Sequence, residues 1–104
     1  KLATSHVMVS FFNDVDVSSN DPQVAAAQYF ATKGFFADYD ARLDEPLTEN
    51  VHMTWSKGLK ALREGTLRPM KLVKAVQEAE LASSKMMERT RGEALLDMWS
   101  SLAD

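Results

Sequence analysis

Apolar residues recur at helical spacing in four stretches of this chain. In residues 21–34, Val24, Ala27 and Ala31 mark one face, with Phe30 beside it. Spacings of three and four place such positions on one stripe of a 3.6-residue helix. Asn20 or Asp21 supplies an N-cap, and Pro22 sits in the first turn, where its missing N–H costs nothing. Gly34 ends the helix, being able to take the left-handed conformation common at a C-terminus. Thr48 caps a second helix, in which Val51, Trp55, Leu59 and Leu62 recur, and Gly65 stops it. Pro69 opens a third, with Leu72, Val73, Val76 and Ala79 on one face. The run "TRGE", residues 90–93, fits a capping box: the Thr hydroxyl accepts from the Glu amide and the Glu carboxylate reaches back. The fourth helix that follows buries Leu95, Leu96, Met98 or Trp99, and Leu102.

Three stretches lack that periodicity. In residues 2–12, Val7, Val9 and Phe11 alternate as in a strand, while Leu2, His6 and Val9 suit a helical face; both readings stand. A lone strand there needs a partner from a longer protein or a neighbouring chain. Residues 35–47 read as a connecting loop. Phe35, Phe36, Tyr39 and Leu43 make it too apolar for a free linker, so it is expected to pack down. Residues 83–89 either continue the third helix or break it. No segment repeats another. The pattern predicts a mostly α fold, a small domain of about four helices with a short N-terminal extended segment as one option. A chain of 104 residues fits one domain, with residues 69–103 as its C-terminal helices.

Composition narrows the function classes. The apolar share of 45% is ordinary, and no run approaches the ~18 residues of a membrane span. A net charge of −3 provides no general basic field for nucleic acid. The absence of Cys excludes disulfides and thiolate metal sites and leaves the compartment open. Lys1 opens the chain without Met or a signal pattern, as a piece of a longer protein would. Charge is unevenly spread. Residues 1–50 carry eight Asp and Glu against Lys1, Lys33 and Arg42, whereas Lys57, Lys60, Arg63, Arg68, Lys71 and Lys74 fall in one later stretch. Such asymmetry is either a solvated helix face or a feature that orients two halves or a partner.

Candidate chemistry is sparse. A calcium loop begun at Asp14 would place Asp16 and Ser18 in register, but Ser19 stands where the turn requires Gly and Ala25 where the bidentate Glu belongs. The segment reads instead as the lead-in to the first helix. Asp38, Asp40, Asp44 and Glu45 could supply an acid and a base. Nothing in the pattern buries one and exposes another, and Asp favours turns for its own reasons. His52 has Ser56 four residues on, so no helical metal pair forms, and His6 stands alone. The four glycines are isolated and build no phosphate or dinucleotide loop. No catalytic, cofactor-binding or metal-ligating residue is therefore expected. The six methionines suit a core or helix interface, and Met86 and Met87, near basic residues, suit a partner surface.

Residues 12–65 resemble a surface-layer homology (SLH) motif: an F-x-D-V opening, a helix with Ala and aromatic positions, a Gly exit, a Tyr loop, a Pro, and a Thr that starts a second helix. The matching positions are Phe12, Asp14, Val15, Ala27, Phe30, Gly34, Tyr39, Pro46 and Thr48. The resemblance implies a helix–loop–helix in which Phe12 and Val15 anchor the loop. It also implies a ligand or partner surface at Asp38, Tyr39, Asp40, Arg42, Thr48 and Glu49, facing cell-wall glycan. In the family an Arg follows the helix-starting Thr and contacts an anionic polymer; here that position is Glu49, whose charge would repel one. The phrases "YFATKGFFADYDARLDEPLT" and "TRGEALLDMW" are similar to the C-terminal tail of bacterial FAD-dependent oxidoreductases of the xanthan lyase-like class. That likeness implies a non-catalytic accessory domain of a secreted, periplasmic or cell-surface flavoprotein. Its FAD would lie in the parent, and its partner would be the parent flavoprotein domain or another protein. A small helical protein-interaction domain unrelated to a flavoenzyme is the remaining reading.

Overall fold

The computed structural model describes residues 12–15, 20–82 and 84–103. The expectations for residues 2–11, including His6, and for Asp16, Ser18 and Ser19 lie outside the described residues. The fold is mostly α: helices α1 (Pro22–Ala31), α2 (Glu49–Glu64), α3 (Pro69–Leu81) and α4 (Arg91–Ala103), with strands β1 (Pro46–Thr48) and β2 (Met86–Thr90).

The helix ends follow from local chemistry. Asp21 Oδ1 accepts from the Gln23 amide at 2.9 Å, and Pro22 occupies the first turn of α1. Thr48 Oγ1 accepts from the Val51 amide at 3.4 Å, and Gly65, at φ 77°, closes α2 in the left-handed conformation. Both bonds of the capping box at α4 are present. The Glu93 amide donates to Thr90 Oγ1 at 3.1 Å, and the Thr90 amide donates to Glu93 Oε1 at 2.8 Å. Helix α1 ends at Ala31 rather than at Gly34; the three residues after it form a turn, and the Phe35 amide returns to Phe30 O at 3.2 Å.

Gly34 sits at φ 88°, and a Cβ built there would lie 2.4 Å from Pro69 O. The conformation and the closeness of a backbone that cannot yield both exclude a side chain. Gly34→Ala is expected to destabilise by about 1–3 kcal/mol, read as a lowered denaturation midpoint in urea. An unchanged midpoint would mean that α1 and α3 do not meet so closely.

The strands are the main departure from expectation. They pair antiparallel, Pro46 opposite Thr90 and Thr48 opposite Met86. Residues 35–47 are thus not loop throughout; α3 ends at Leu81, and residues 86–89 lie in a strand. Three residues of β1 hold too little alternation to be read locally, and their partner lies far along the chain. The pairing also reveals a repeat of architecture that sequence comparison within the chain missed. The order helix, strand, helix occurs twice, as α1–β1–α2 and α3–β2–α4. The two units interlock: α1 packs on α4 and α2 on α3.

One apolar cluster joins these elements, centred on Phe30, Phe35, Leu47, Val51, Trp55, Val76 and Leu95. Phe35 and Phe36 pack down as expected. Phe36 lies edge-on to Phe12, with ring centroids 4.8 Å apart, and this seats the start of the described chain. Tyr39 does not join the core. It is 59% exposed, because the loop turns outward between Asp38 and Asp40. Leu59, Leu62, Met98, Trp99 and Leu102 pack at the rim of the cluster.

The helices share a polarity. The starts of α1, α2 and α4 and the end of α3 gather around the β ribbon. The Gly92 amide bonds Leu43 O at 2.9 Å, the Glu49 amide bonds Lys85 O at 2.9 Å, and Arg91 lies against Glu80. At the opposite pole, Arg63 Nη2 donates to Ser101 O at 3.0 Å, and Gly34 abuts Pro69.

Candidate functional site

Asn13 and Asp14 act through the backbone of the loop that follows α1. Asp14 Oδ1 accepts from the Ala41 amide and Oδ2 from the Arg42 amide, each at 2.8 Å. The Asn13 amide donates to Tyr39 O at 2.7 Å. These bonds pin the loop before β1 and hold Arg42 at φ 54°, a left-handed conformation that costs a non-glycine residue energy. Asp14 therefore staples the loop. Among the described residues no three His, Asp or Glu are placed to hold a metal ion. Millimolar calcium is expected to leave the melting temperature where magnesium leaves it, since only a ligand that prefers the native state raises it. A calcium-specific rise, lost in Asp14→Ala, would overturn this assignment.

Pinned in this way, Arg42 reaches three carboxylates, the most distant being Glu45, with Oε1 4.0 Å from Nε. Arg42 Nη1 lies 3.1 Å from Asp38 Oδ2, and its Nη2 lies 3.2 Å from Glu80 Oε1 on α3. The other oxygen of Glu80 lies 3.1 Å from Arg91 Nη2 at the start of α4. A chain of alternating charge, Asp38–Arg42–Glu80–Arg91, thus ties the loop to both C-terminal helices. Arg91 is only 5% exposed. Its Nε donates to Ala41 O at 3.0 Å, and its guanidinium lies 5.1 Å from the ring centre of Trp55 and 5.7 Å from that of Phe36. The contact with Glu80 is an ion pair without hydrogen-bond alignment: Arg91 Nη2 and Glu80 Oε2 have no hydrogen-bond partner among the described residues.

The electrostatics follow from burial and neighbours. Burial pushes the Arg91 guanidinium below its ordinary pKa; Glu80 opposes that shift and the positive charge of Arg42 adds to it. For Arg42, burial also acts downward, but Glu80 and Asp38 outweigh it and the net shift is upward. A cation in the first turn of a helix runs against the helix dipole. Arg91 is therefore held by Glu80, Ala41 and the two aromatic rings rather than by the end of α4.

A cavity of about 370 Å³ opens beside this chain, with Asp38, Arg42, Thr48, Glu80 and Arg91 in its wall and Leu81 at its edge. Of the surface expected from the sequence, Asp38, Arg42 and Thr48 meet here. Tyr39, Asp40 and Glu49 do not line it. The Asp40 amide donates to Asp38 Oδ1 at 3.0 Å, and Glu49 is exposed at the start of α2. Glu80 and Arg91 were not legible as site residues. Arg91 lies inside the "TRGE" run read only as a cap. The available signal was a Thr that ends a strand and starts a helix, followed by Arg91 in the second unit and by Glu49 in the first. His52 is half-buried on α2 and stands apart from this cluster. No helix of the described residues is long and apolar enough to cross a membrane.

No known protein family, curated protein or solved structure matches this chain.

Proposed function

We propose that this chain is a non-catalytic helical accessory domain that mediates association, carried by a secreted or envelope FAD-dependent oxidoreductase of bacterial type. The observation that carries the non-catalytic part is the commitment of the clustered ionisable groups to structure. Asp14 spends both oxygens on backbone amides, and Glu80 is divided between Arg42 and Arg91. A general base needs a group free to take a proton within reach of a substrate. The flavoprotein parentage rests on the resemblance of residues 29–48 and 90–99 alone. Isolating the native polypeptide that carries this sequence and recording its visible spectrum tests that part: a flavin spectrum supports the parentage, and a colourless polypeptide removes it.

The cavity beside Thr48 favours a second reading, an SLH-type module for cell-surface glycan. Its wall mixes guanidinium and carboxylate groups, the partners that sugar hydroxyls use as acceptors and donors. Glu49 separates the two readings. As a carboxylate in the first turn of α2 it gains about 0.3–1 kcal/mol from the helix dipole. In an accessory domain, Glu49→Arg lowers stability by about that amount and creates no affinity for purified cell-wall polymer. In a glycan module the same change creates salt-sensitive binding to an anionic polymer. The first outcome is expected; retention of the wild-type domain on cell-wall polymer at moderate salt would decide for the second.

A further inference from the structure

The two poles of the molecule carry opposite charge. At the ribbon pole, Asp14, Asp21, Asp44, Glu45 and Glu49 are exposed, with Lys85 as a nearby cation. At the far pole, the end of α2 and the start of α3 expose Lys60, Arg63, Arg68, Lys71 and Lys74, with Glu64 as the nearby acid. Lys60, Arg68, Lys71 and Lys74 join no ion pair among the described residues. Met70, 77% exposed, stands between Arg68 and Lys71.

Helix dipoles account for part of this polarity and fail for the rest. Acids at the starts of α1, α2 and α4, and Arg63 in the last turn of α2, lie where a dipole favours them. Helix α3 runs the other way. Arg68 stands at its N-cap position with no side-chain capping bond, and its first turn holds Lys71 and no acid. Cations there oppose the dipole and forgo a cap, so local stability does not explain them. They do extend the positive pole built by the end of α2.

We infer that the basic pole at the α2–α3 turn is a docking surface for the acidic ribbon pole of a second copy of this chain, joined head to tail. The basic pole lies apart from the cavity at Thr48, whose wall shares Glu45 with the acidic pole. Charge complementarity between two ends of one chain selects the occupant. A head-to-tail contact uses different patches on the two copies, so it leaves one basic and one acidic pole free and propagates into open chains. Charges at a surface act over about 10 Å at 0.1 M salt, so the association is confined to low ionic strength.

Sedimentation velocity over a concentration series tests this. The wild-type chain is expected to grow beyond a dimer at low salt and to return to monomer at high salt. Arg68→Glu/Lys71→Glu should abolish growth while leaving the melting temperature equal or higher, because the new carboxylates suit the start of α3. Asp44→Lys/Glu45→Lys should also abolish growth. An equal mixture of the two variants pairs one native acidic pole with one native basic pole, and its reversed poles are again complementary, so growth is expected to return. A wild-type chain that stays monomeric at low salt overturns the inference, and so does growth that survives both charge reversals. Capture of polyglutamate or anionic vesicles by a chain that never self-associates would assign the basic pole to another partner and overturn the second copy.

Discussion

Trp55→Ala is expected to destabilise the fold by about 3–5 kcal/mol, the range for removing a large aromatic from a packed core. Trp55 is 1% exposed, and its Nε1–H donates to Phe35 O at 2.8 Å. Its ring lies edge-on to Phe36, with centroids 5.7 Å apart, and carries the Arg91 guanidinium on its face. Three kinds of contact are therefore lost together: apolar burial, a buried hydrogen bond and a cation–π contact. Domains of this size hold about 5–15 kcal/mol in total, so the variant should lie near its folding limit. Urea denaturation followed by circular dichroism measures the loss. A change below about 1 kcal/mol would put Trp55 outside the core.

Glu80→Ala should be nearly as damaging, for an electrostatic reason. Glu80 is the only carboxylate within 4.0 Å of Arg91 among the described residues, and it also holds Arg42. Its removal leaves Arg91 charged, buried and flanked by a second cation. Breaking a buried pair from one side costs about 3–5 kcal/mol, whereas replacing both partners by apolar groups of similar size is often near neutral. Glu80→Leu combined with Arg91→Met should accordingly recover most of the loss. A double variant as unstable as the single one would show that Arg91 matters mainly through Ala41 O and the aromatic rings. A single variant losing less than about 1 kcal/mol would place the cluster among ordinary surface ion pairs.

These two sites differ in how far sequence reveals them. Trp55 falls in an apolar repeat with Val51, and that repeat is a local property: any helix with it must bury that face. The Arg42–Glu80–Arg91 cluster has one local trace at most, Arg91 after the helix-starting Thr90. Its members come from a loop, the end of α3 and the start of α4, and no spacing connects them. Asp38, Arg42 and Thr48 line one cavity because they share one loop and the strand that follows it. Tyr39, between the same neighbours, points outward. Within a loop, neighbours in sequence have no fixed period to say which way each side chain faces.

What the sequence by itself determined are the four helices, their starts and the end of α2. Capping residues, first-turn prolines and glycines act on backbone groups within a few positions, and apolar stripes act on a single helix face. Only the tertiary structure decided the ribbon, the interlocking of the two helix–strand–helix units and the burial of Arg91. The ladder joins Pro46–Thr48 to Met86–Thr90, and each strand is too short to announce itself without the other. Arg91 is buried because α4 meets α1, the loop and the end of α3 at its first residue. A lone charged side chain would normally stay in water. Here a carboxylate from α3, a carbonyl from the loop and two aromatic rings surround it, and that company exists only once the chain has folded.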